Sequence, residues 1–248
     1  MNVNNKKLVG VIIGLLLYGC ASLATATEIS GAGSAAAKAM YTKWAEGYGN
    51  GQTIKLNYQP IGPSLGIKQI KGQAADFFTS DVALSDTELR KENLLTFPSA
   101  VSGVVPIVNL PGIKAADLQL SGEVLADIFS RKITTWNAPA IVALNPRLSM
   151  PNLPISPLVD QENVGLTYNF TDYLSKVSPE WKVAFGKNVD IDWPNGVSPV
   201  KGSTALVTAL KRTLGTIGYV DFSVVARDKL AYVQLKNHSG KFVSPGLD

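Results

Sequence analysis

Apolar positions along this chain follow two different spacings in turn. Between residues 34 and 48, apolar side chains recur every three or four positions, which predicts an amphipathic helix. Residues 53–58 (TIKLNY) alternate apolar and polar side chains, which predicts a strand, and the Gly-Asn-Gly sequence at 49–51 separates the two elements. The same change of spacing recurs along most of the chain.

This pattern predicts an α/β protein. Strands are predicted at residues 27–30, 53–58, 76–80, 155–159, 217–220 and 230–235. Helices are predicted at residues 34–48, 62–73, 121–132, 139–145, 164–176 and 204–214, and another begins at Ser85 or Asp86 with Glu88 close to its cap. Residues 94–110 form a long extended stretch that is a candidate crossing between two lobes. Alternation of strands and helices favours mostly parallel sheets.

The N-terminus has the pattern of a secretory signal peptide. Lys6 and Lys7 precede an apolar run at residues 8–17, and small residues follow up to Ala26. The run is shorter than the roughly 20 residues of a membrane span. We therefore expect a signal peptide at residues 1–26, cleavage after Ala26, and a periplasmic or secreted protein. The alternative is a lipid anchor through Cys20, because Leu17-Tyr18-Gly19-Cys20 resembles a lipoprotein signal.

Composition excludes several classes of chemistry. Cys20 is the only cysteine, so residues 27–248 have no disulfide, thiolate nucleophile or cysteine metal site. After Ala26, 21 Lys and Arg stand against 19 Asp and Glu in scattered positions, which does not favour a nucleic-acid partner. His238, the only histidine, lies in a polar turn with no serine or cysteine motif around it. We predict no enzyme, and no cofactor is implied.

A series of segments, in order and spacing, is similar to one family from about residue 29 to the end. The segments are Ile29–Gly33 (ISGAG), residues 41–45 (YTKWA), 57–62 (NYQPIG), 68–70 (KQI), 80–85 (SDVALS), 103–105 (GVV), 132–137 (KITTWN), 144–146 (LNP), 170–174 (FTDYL), 180–182 (EWK), 193–194 (WP) and 217–220 (IGYV). Together they resemble the periplasmic phosphate-binding protein family, the PstS-type substrate-binding component of the phosphate ABC importer. The resemblance implies a periplasmic-binding-protein-like (type II) fold, with a first lobe at residues 27–100 and a second lobe at 101–248. It also implies strands that cross between the lobes and a ligand cleft between them.

The residues that hold phosphate in this family are mostly replaced here. The resemblance keeps the family's aspartate as Asp81 and leaves Ser34 and Ser64 as nearby hydroxyls. The other ligand positions fall on Ala35, Ala36, Pro63, Val164 and Leu166, and the family's arginine falls on Asp160. Since bonds to charged groups are worth roughly 1.5–3 kcal/mol and neutral ones about 1, the losses amount to roughly 5–9 kcal/mol. We expect no tight phosphate binding.

The resemblance leaves the ligand and partners open. Asp81, Ser34, Ser64, Asp160, Glu162 and Asn163 are the cleft candidates. They form a degenerate cleft in which Asp160 and Glu162 are solvated loop residues, or an acidic site for a cation or an amine, because hard cations need several oxygen ligands. The third alternative is a site that still binds phosphate weakly. The chain is also expected to be short at its C-terminus relative to the family, which would expose apolar surface on the first lobe. An ABC permease is the family's partner, and the alternative is a scaffold that docks a protein partner or a second copy.

Overall fold

A computed structural model describes residues 27–49, 54–162 and 164–246. Its strands are β1 Thr27–Gly33, β2 Ile54–Gln59, β3 Phe77–Thr79, β4 Val104–Asn109, β5 Gln119–Leu120, β6 Ser156–Asp160, β7 Ser198–Val200, β8 Thr216–Asp221, β9 Gln234–Lys236 and β10 Phe242–Val243. Its helices are α1 Lys38–Gly49, α2 Pro63–Lys71, α3 Asp86–Lys91, α4 Gly122–Phe129, α5 Pro139–Leu144, α6 Val164–Val177, α7 Pro179–Ala184, α8 Ser203–Arg212 and α9 Phe222–Asp228.

The described strands form three sheets. The first sheet has the order β2-β1-β3 with both pairs parallel. The second sheet has the order β4-β8-β6-β7, in which β6 runs parallel to both neighbours and β4 runs antiparallel to β8. A small sheet, β10-β9-β5, completes the set. The prediction of an α/β fold with mostly parallel sheets is confirmed.

The second sheet is covered by helices on both faces. Residues of β4, β6 and β8 alternate between two apolar clusters, as the pleat of a strand requires. Val108, Val159 and Tyr219 join the cluster that contains α4 and α6 side chains, whereas Leu158 and Val220 join the one under α8 and α9. Both clusters lie between residues 105 and 233. This layering holds the carboxyl end of β6 and the beginning of α6 in fixed positions.

The first sheet is covered mainly by aromatic contacts. α1 packs on β2, and α2 packs on β1 and β3. The ring of Tyr41 from α1 lies 5.0 Å from that of Tyr58 and 5.3 Å from that of Phe77, measured between ring centroids. Gly31 leaves room for this cluster, because a Cβ there would lie 2.6 Å from the Cε2 atom of Phe77 and the ring would have to shift.

Most predicted elements are confirmed, with local shifts. The predicted capping box at α3 is present, because the Ser85 hydroxyl accepts from the Glu88 N–H while the Glu88 carboxylate accepts from the Ser85 N–H. The predicted helix at residues 34–48 begins later, at Lys38. The extended stretch predicted at residues 94–110 is a strand only over Val104–Asn109, which pairs with β8. Pairing requires a neighbouring strand, and residues 94–103 pair with none of the described strands.

No helix among the described residues is long and apolar enough to cross a membrane. The predicted signal peptide and Cys20 lie outside the described residues.

Candidate functional site

The candidate site lies at the carboxyl edge of the first sheet. Gly33 at the end of β1 pairs with Thr79 at the end of β3, so Ser34 and Asp81 follow neighbouring strands to the same edge. Ligand sites of open parallel sheets form at this edge. The Ser34 N–H donates to the Thr79 carbonyl over 3.0 Å, which fixes the turn after β1.

The structure brings Ser34 and Asp81 together. The Ser34 hydroxyl donates to the Asp81 carboxylate over 2.5 Å, and the Ala36 N–H donates to the same hydroxyl over 3.2 Å. The Ser34 side chain is only 2% exposed, and Asp81 is half-buried. The hydroxyl that the sequence offers for a ligand is therefore engaged with the nearest carboxylate.

Tyr58 and Thr79 hold this turn in place through hydrogen bonds. The Tyr58 hydroxyl donates to the Ser34 carbonyl over 2.7 Å and hydrogen-bonds the Thr79 hydroxyl. Burial raises the pKa of the Tyr58 phenol above its ordinary value, so it stays a neutral donor. Sequence reasoning missed both residues, although both lie on strands that lead to this edge.

The beginning of α2 reaches the same edge. The Gly62 N–H donates to the Gly33 carbonyl over 2.9 Å, and Gly62 has a φ of 79°, which favours glycine. Pro63 is the first residue of α2, a position where its missing N–H costs nothing. The backbone of Ser64 lies in this first turn, while its side chain lies outside the described atoms.

Asp160 is bonded to the second sheet and the helix beside it. It is the last residue of β6 and is 3% exposed. One carboxylate oxygen accepts from the N–H groups of Glu162 and Gly202, each over 3.0 Å, and the other accepts from the Ser203 hydroxyl over 3.1 Å. Gly202 and Ser203 begin α8, so a negative charge here is favourable. This carboxylate ties β6 to the beginning of α8.

The remaining candidates differ in their surroundings. Glu162 is exposed, and its carboxylate lies near Gly202. Asn163 lies outside the described residues. Among the residues that the structure describes, no group of three histidine, cysteine, aspartate or glutamate side chains is placed to hold a metal ion.

Two residues of α6 complete the site, and sequence reasoning did not select them. Gly165 lies against the Asp81 side chain, and the Asn169 amide donates to the Asp81 carbonyl over 3.0 Å. They are four residues apart, so they share one face of the helix. A helix that begins after a strand at a sheet edge presents its beginning to the cleft. The spacing of four residues near the beginning of α6 was therefore the signal in the sequence that could have identified this pair.

The chain matches one family model and several known proteins. The model of the PBP superfamily domain matches residues 21–245. The chain is 41% identical to the phosphate-binding protein PstS of Xylella fastidiosa (strain Temecula1), over 89% of this chain and 60% of that protein. It is 38% identical to the phosphate-binding protein PstS of Haemophilus influenzae, over 93% of this chain and 69% of that protein.

Solved structures share the fold at lower sequence identity. An ABC-type phosphate transport receptor from Vibrio cholerae superposes with a TM-score of 0.61 at 18% identity, covering 86% of this chain and 78% of that one. A phosphate-binding protein from Stenotrophomonas maltophilia gives a TM-score of 0.61 at 22% identity, covering 88% and 67% of the two chains. The fold is therefore the type II periplasmic-binding-protein fold. The chain belongs to the PBP superfamily and, within it, to the family of PstS-type phosphate-binding proteins.

Proposed function

We propose that this chain is an exported substrate-binding-type protein of the phosphate importer's family that does not hold phosphate tightly. The main observation that supports the proposal is the hydrogen bond from the Ser34 hydroxyl to the Asp81 carboxylate. The hydroxyl that would donate to a bound anion already donates to a carboxylate. An incoming phosphate would have to break this charge-assisted bond before it gained one of its own.

The state of Asp160 supports the same conclusion. In the family an arginine at this position supplies charged donors, whereas Asp160 supplies acceptors. Its two carboxylate oxygens accept three hydrogen bonds from Glu162, Gly202 and Ser203. A side chain committed in this way cannot turn toward an anion without leaving buried donors unpaired, at a cost of about 1–3 kcal/mol each.

The proposal includes the cellular location of the protein and the division of the chain into two lobes. The N-terminal pattern up to Ala26 supports export to the periplasm, with cleavage there or acylation at Cys20. Membership of the PstS-type family and the name of the Vibrio cholerae structure, an ABC-type phosphate transport receptor, support an ABC permease as partner, although the chain spans only 60% of the Xylella protein's length. We place the border between the lobes near residue 100, between β3 and β4.

A thermal-shift measurement tests the proposal. The protein is unfolded and refolded to remove bound solute and is then melted with and without about 1 mM phosphate at constant ionic strength. A ligand with micromolar Kd would be present at a thousand times its Kd and would raise the free energy of unfolding by about 4.1 kcal/mol. We expect no rise in Tm, and a rise of several degrees would contradict the proposal.

A second candidate function, docking of a protein surface, is favoured by one observation. An apolar groove of about 510 Å³ opens between α1 and the first sheet, and Trp44 and Tyr48 at its edge are 51% and 61% exposed. The groove is lined by Ile29, Lys43, Trp44, Ala45, Gly47, Tyr48 and Leu56. Exposed apolar patches of this kind mark interaction sites. Analytical ultracentrifugation separates this docking function from the first candidate. Dimerisation that Trp44→Ser abolishes would favour docking, whereas a monomer at all protein concentrations would contradict it.

A further inference from the structure

The Asp81 side chain of the candidate site contacts both halves of the molecule. Asp81 follows β3 of the first sheet, and its side chain lies on Gly165, the second residue of α6, which packs on the second sheet. The contact therefore spans the cleft in which the family holds its solute. It leaves the Asp81 carboxylate between Ser34 on one side and the beginning of α6 on the other.

The contact depends on the absence of a side chain at Gly165. A Cβ there would lie 2.7 Å from the Asp81 Cβ and 3.0 Å from its Cγ, and it would be closer still to one carboxylate oxygen. All of these separations are well inside van der Waals contact, and Gly165 lies within a helix whose backbone is not free to move away. Alanine at this position would push Asp81 off the helix.

Asn169 adds a second link at the same place. Its side-chain amide donates to the Asp81 carbonyl over 3.0 Å and to the Gly165 carbonyl over 2.9 Å. Both amide hydrogens are therefore used, one toward each half of the molecule. This fixes the backbone of Asp81 relative to α6, in addition to the side-chain contact.

Electrostatics favours the arrangement. α6 spans 14 residues, and its first turn (VGLT) contains no acidic side chain of its own. The beginning of a helix carries the positive end of the helix dipole, where an anion is stabilised. Asp81, which belongs to the other half of the molecule, supplies that negative charge.

We propose that Asp81, Gly165 and Asn169 form a clasp that links the two halves of the molecule across the cleft, with the Asp81 carboxylate held at the beginning of α6. Asn169 is the positioning residue of the clasp, and Gly165 gives it room. The inference goes beyond the proposed function, because it concerns what sets the position of the two halves relative to each other. It predicts that loss of the clasp lets the halves move apart, and that any solute held at the beginning of α6 must displace Asp81.

Distance measurement between two spin labels tests the clasp. Cys20 is the only cysteine, so Cys20→Ser gives a full chain without cysteine. Lys55→Cys and Lys182→Cys in this background then place one spin label on β2 and one on α7. Without solute, we expect one narrow distance distribution. Gly165→Ala and Asn169→Ala should both shift it to longer and broader distances. Asn152→Ala is the matched control, because Asn152 is an exposed asparagine of the C-terminal half that is not part of the clasp, and this variant should leave the distribution unchanged.

The outcomes separate the clasp from the proposed function. A distribution that stays narrow and unshifted in both Gly165→Ala and Asn169→Ala would overturn the clasp, whatever phosphate does. Circular dichroism of each variant confirms that it is folded, and Asn169→Ala removes a link without adding atoms, so it remains informative if Gly165→Ala misfolds. A micromolar Kd for phosphate, together with a distance distribution that shifts in the clasp variants, would overturn the proposed function and leave the clasp in place.

Discussion

The two halves of this molecule are stabilised in different ways. The C-terminal region, residues 101–246, contains both apolar clusters and the fully buried side chains of Trp136, Trp181 and Tyr219. In the described part of residues 27–100, the buried apolar side chains are those of Ala32, Tyr41 and Ala75. Burial of apolar area is the main favourable term in folding. The C-terminal region therefore contains the larger apolar core, and the N-terminal region depends more on hydrogen bonds between its strands and loops and on aromatic packing.

The difference also separates roles within the candidate site. Asp160 belongs to the well-packed region and accepts hydrogen bonds from Glu162, Gly202 and Ser203. Asp81 belongs to the thinly packed region and is held by Ser34 and by the contact with α6. Two aspartates that look equivalent in the sequence thus have different surroundings: Asp160 accepts hydrogen bonds within the C-terminal region, whereas Asp81 lies between Ser34 and α6.

Removal of a buried indole should have the largest effect. Trp136 is fully buried, and its indole N–H donates to the Gly215 carbonyl over 2.9 Å. Trp136→Ala should lower the free energy of unfolding by about 3–5 kcal/mol. Trp44→Ala, in the N-terminal region and half-exposed, should cost no more than about 1.5 kcal/mol. Urea denaturation measures both, and equal costs would contradict the contrast between the two regions.

Removal of the Asp160 carboxylate should have an intermediate effect. Asp160→Ala leaves the N–H groups of Glu162 and Gly202 without their acceptor, so it should cost about 2–3 kcal/mol. The neighbouring Glu162→Ala removes an exposed carboxylate and should change stability by less than about 0.5 kcal/mol. Denaturant titration of the two variants gives the comparison. A stable Asp160→Ala protein with altered solute binding would instead identify Asp160 as a ligand residue.

Acid sensitivity of the N-terminal region should give the smallest effect. Asp76 accepts from the Ser30 N–H over 2.7 Å and from its hydroxyl over 3.1 Å, and these bonds lower the pKa of its carboxyl below the ordinary 3.8. A lowered pKa in the folded state means that the stabilisation is present above pH 3.8 and is lost as the pH falls through the folded value.

Asp76→Asn should therefore melt below the wild type at neutral pH, and the gap should narrow as the pH falls below about 4. Melting temperatures followed by circular dichroism at a series of pH values measure the gap. A gap that stays constant through this range would mean that the charge of Asp76 does not contribute.

The sequence predicted the elements far better than the site. Strand and helix positions depend on local spacing and on caps such as Ser85 with Glu88, which a short window contains. Two of the partners of Asp160, Gly202 and Ser203, lie about 40 residues further along the chain. The contact between Asp81 and Gly165 depends on how two sheets are placed relative to each other, which no local pattern encodes. The extended stretch at residues 94–110 was overestimated because pairing partners are equally non-local.

Isothermal titration of the refolded protein with phosphate at neutral pH tests the central claim most directly. We predict no binding heat up to millimolar phosphate, which corresponds to a binding free energy weaker than about −4 kcal/mol. A micromolar Kd, about −8 kcal/mol, would contradict it. That result would mean that Asp81 and Ser34 leave each other for phosphate and that backbone N–H groups replace the missing arginine.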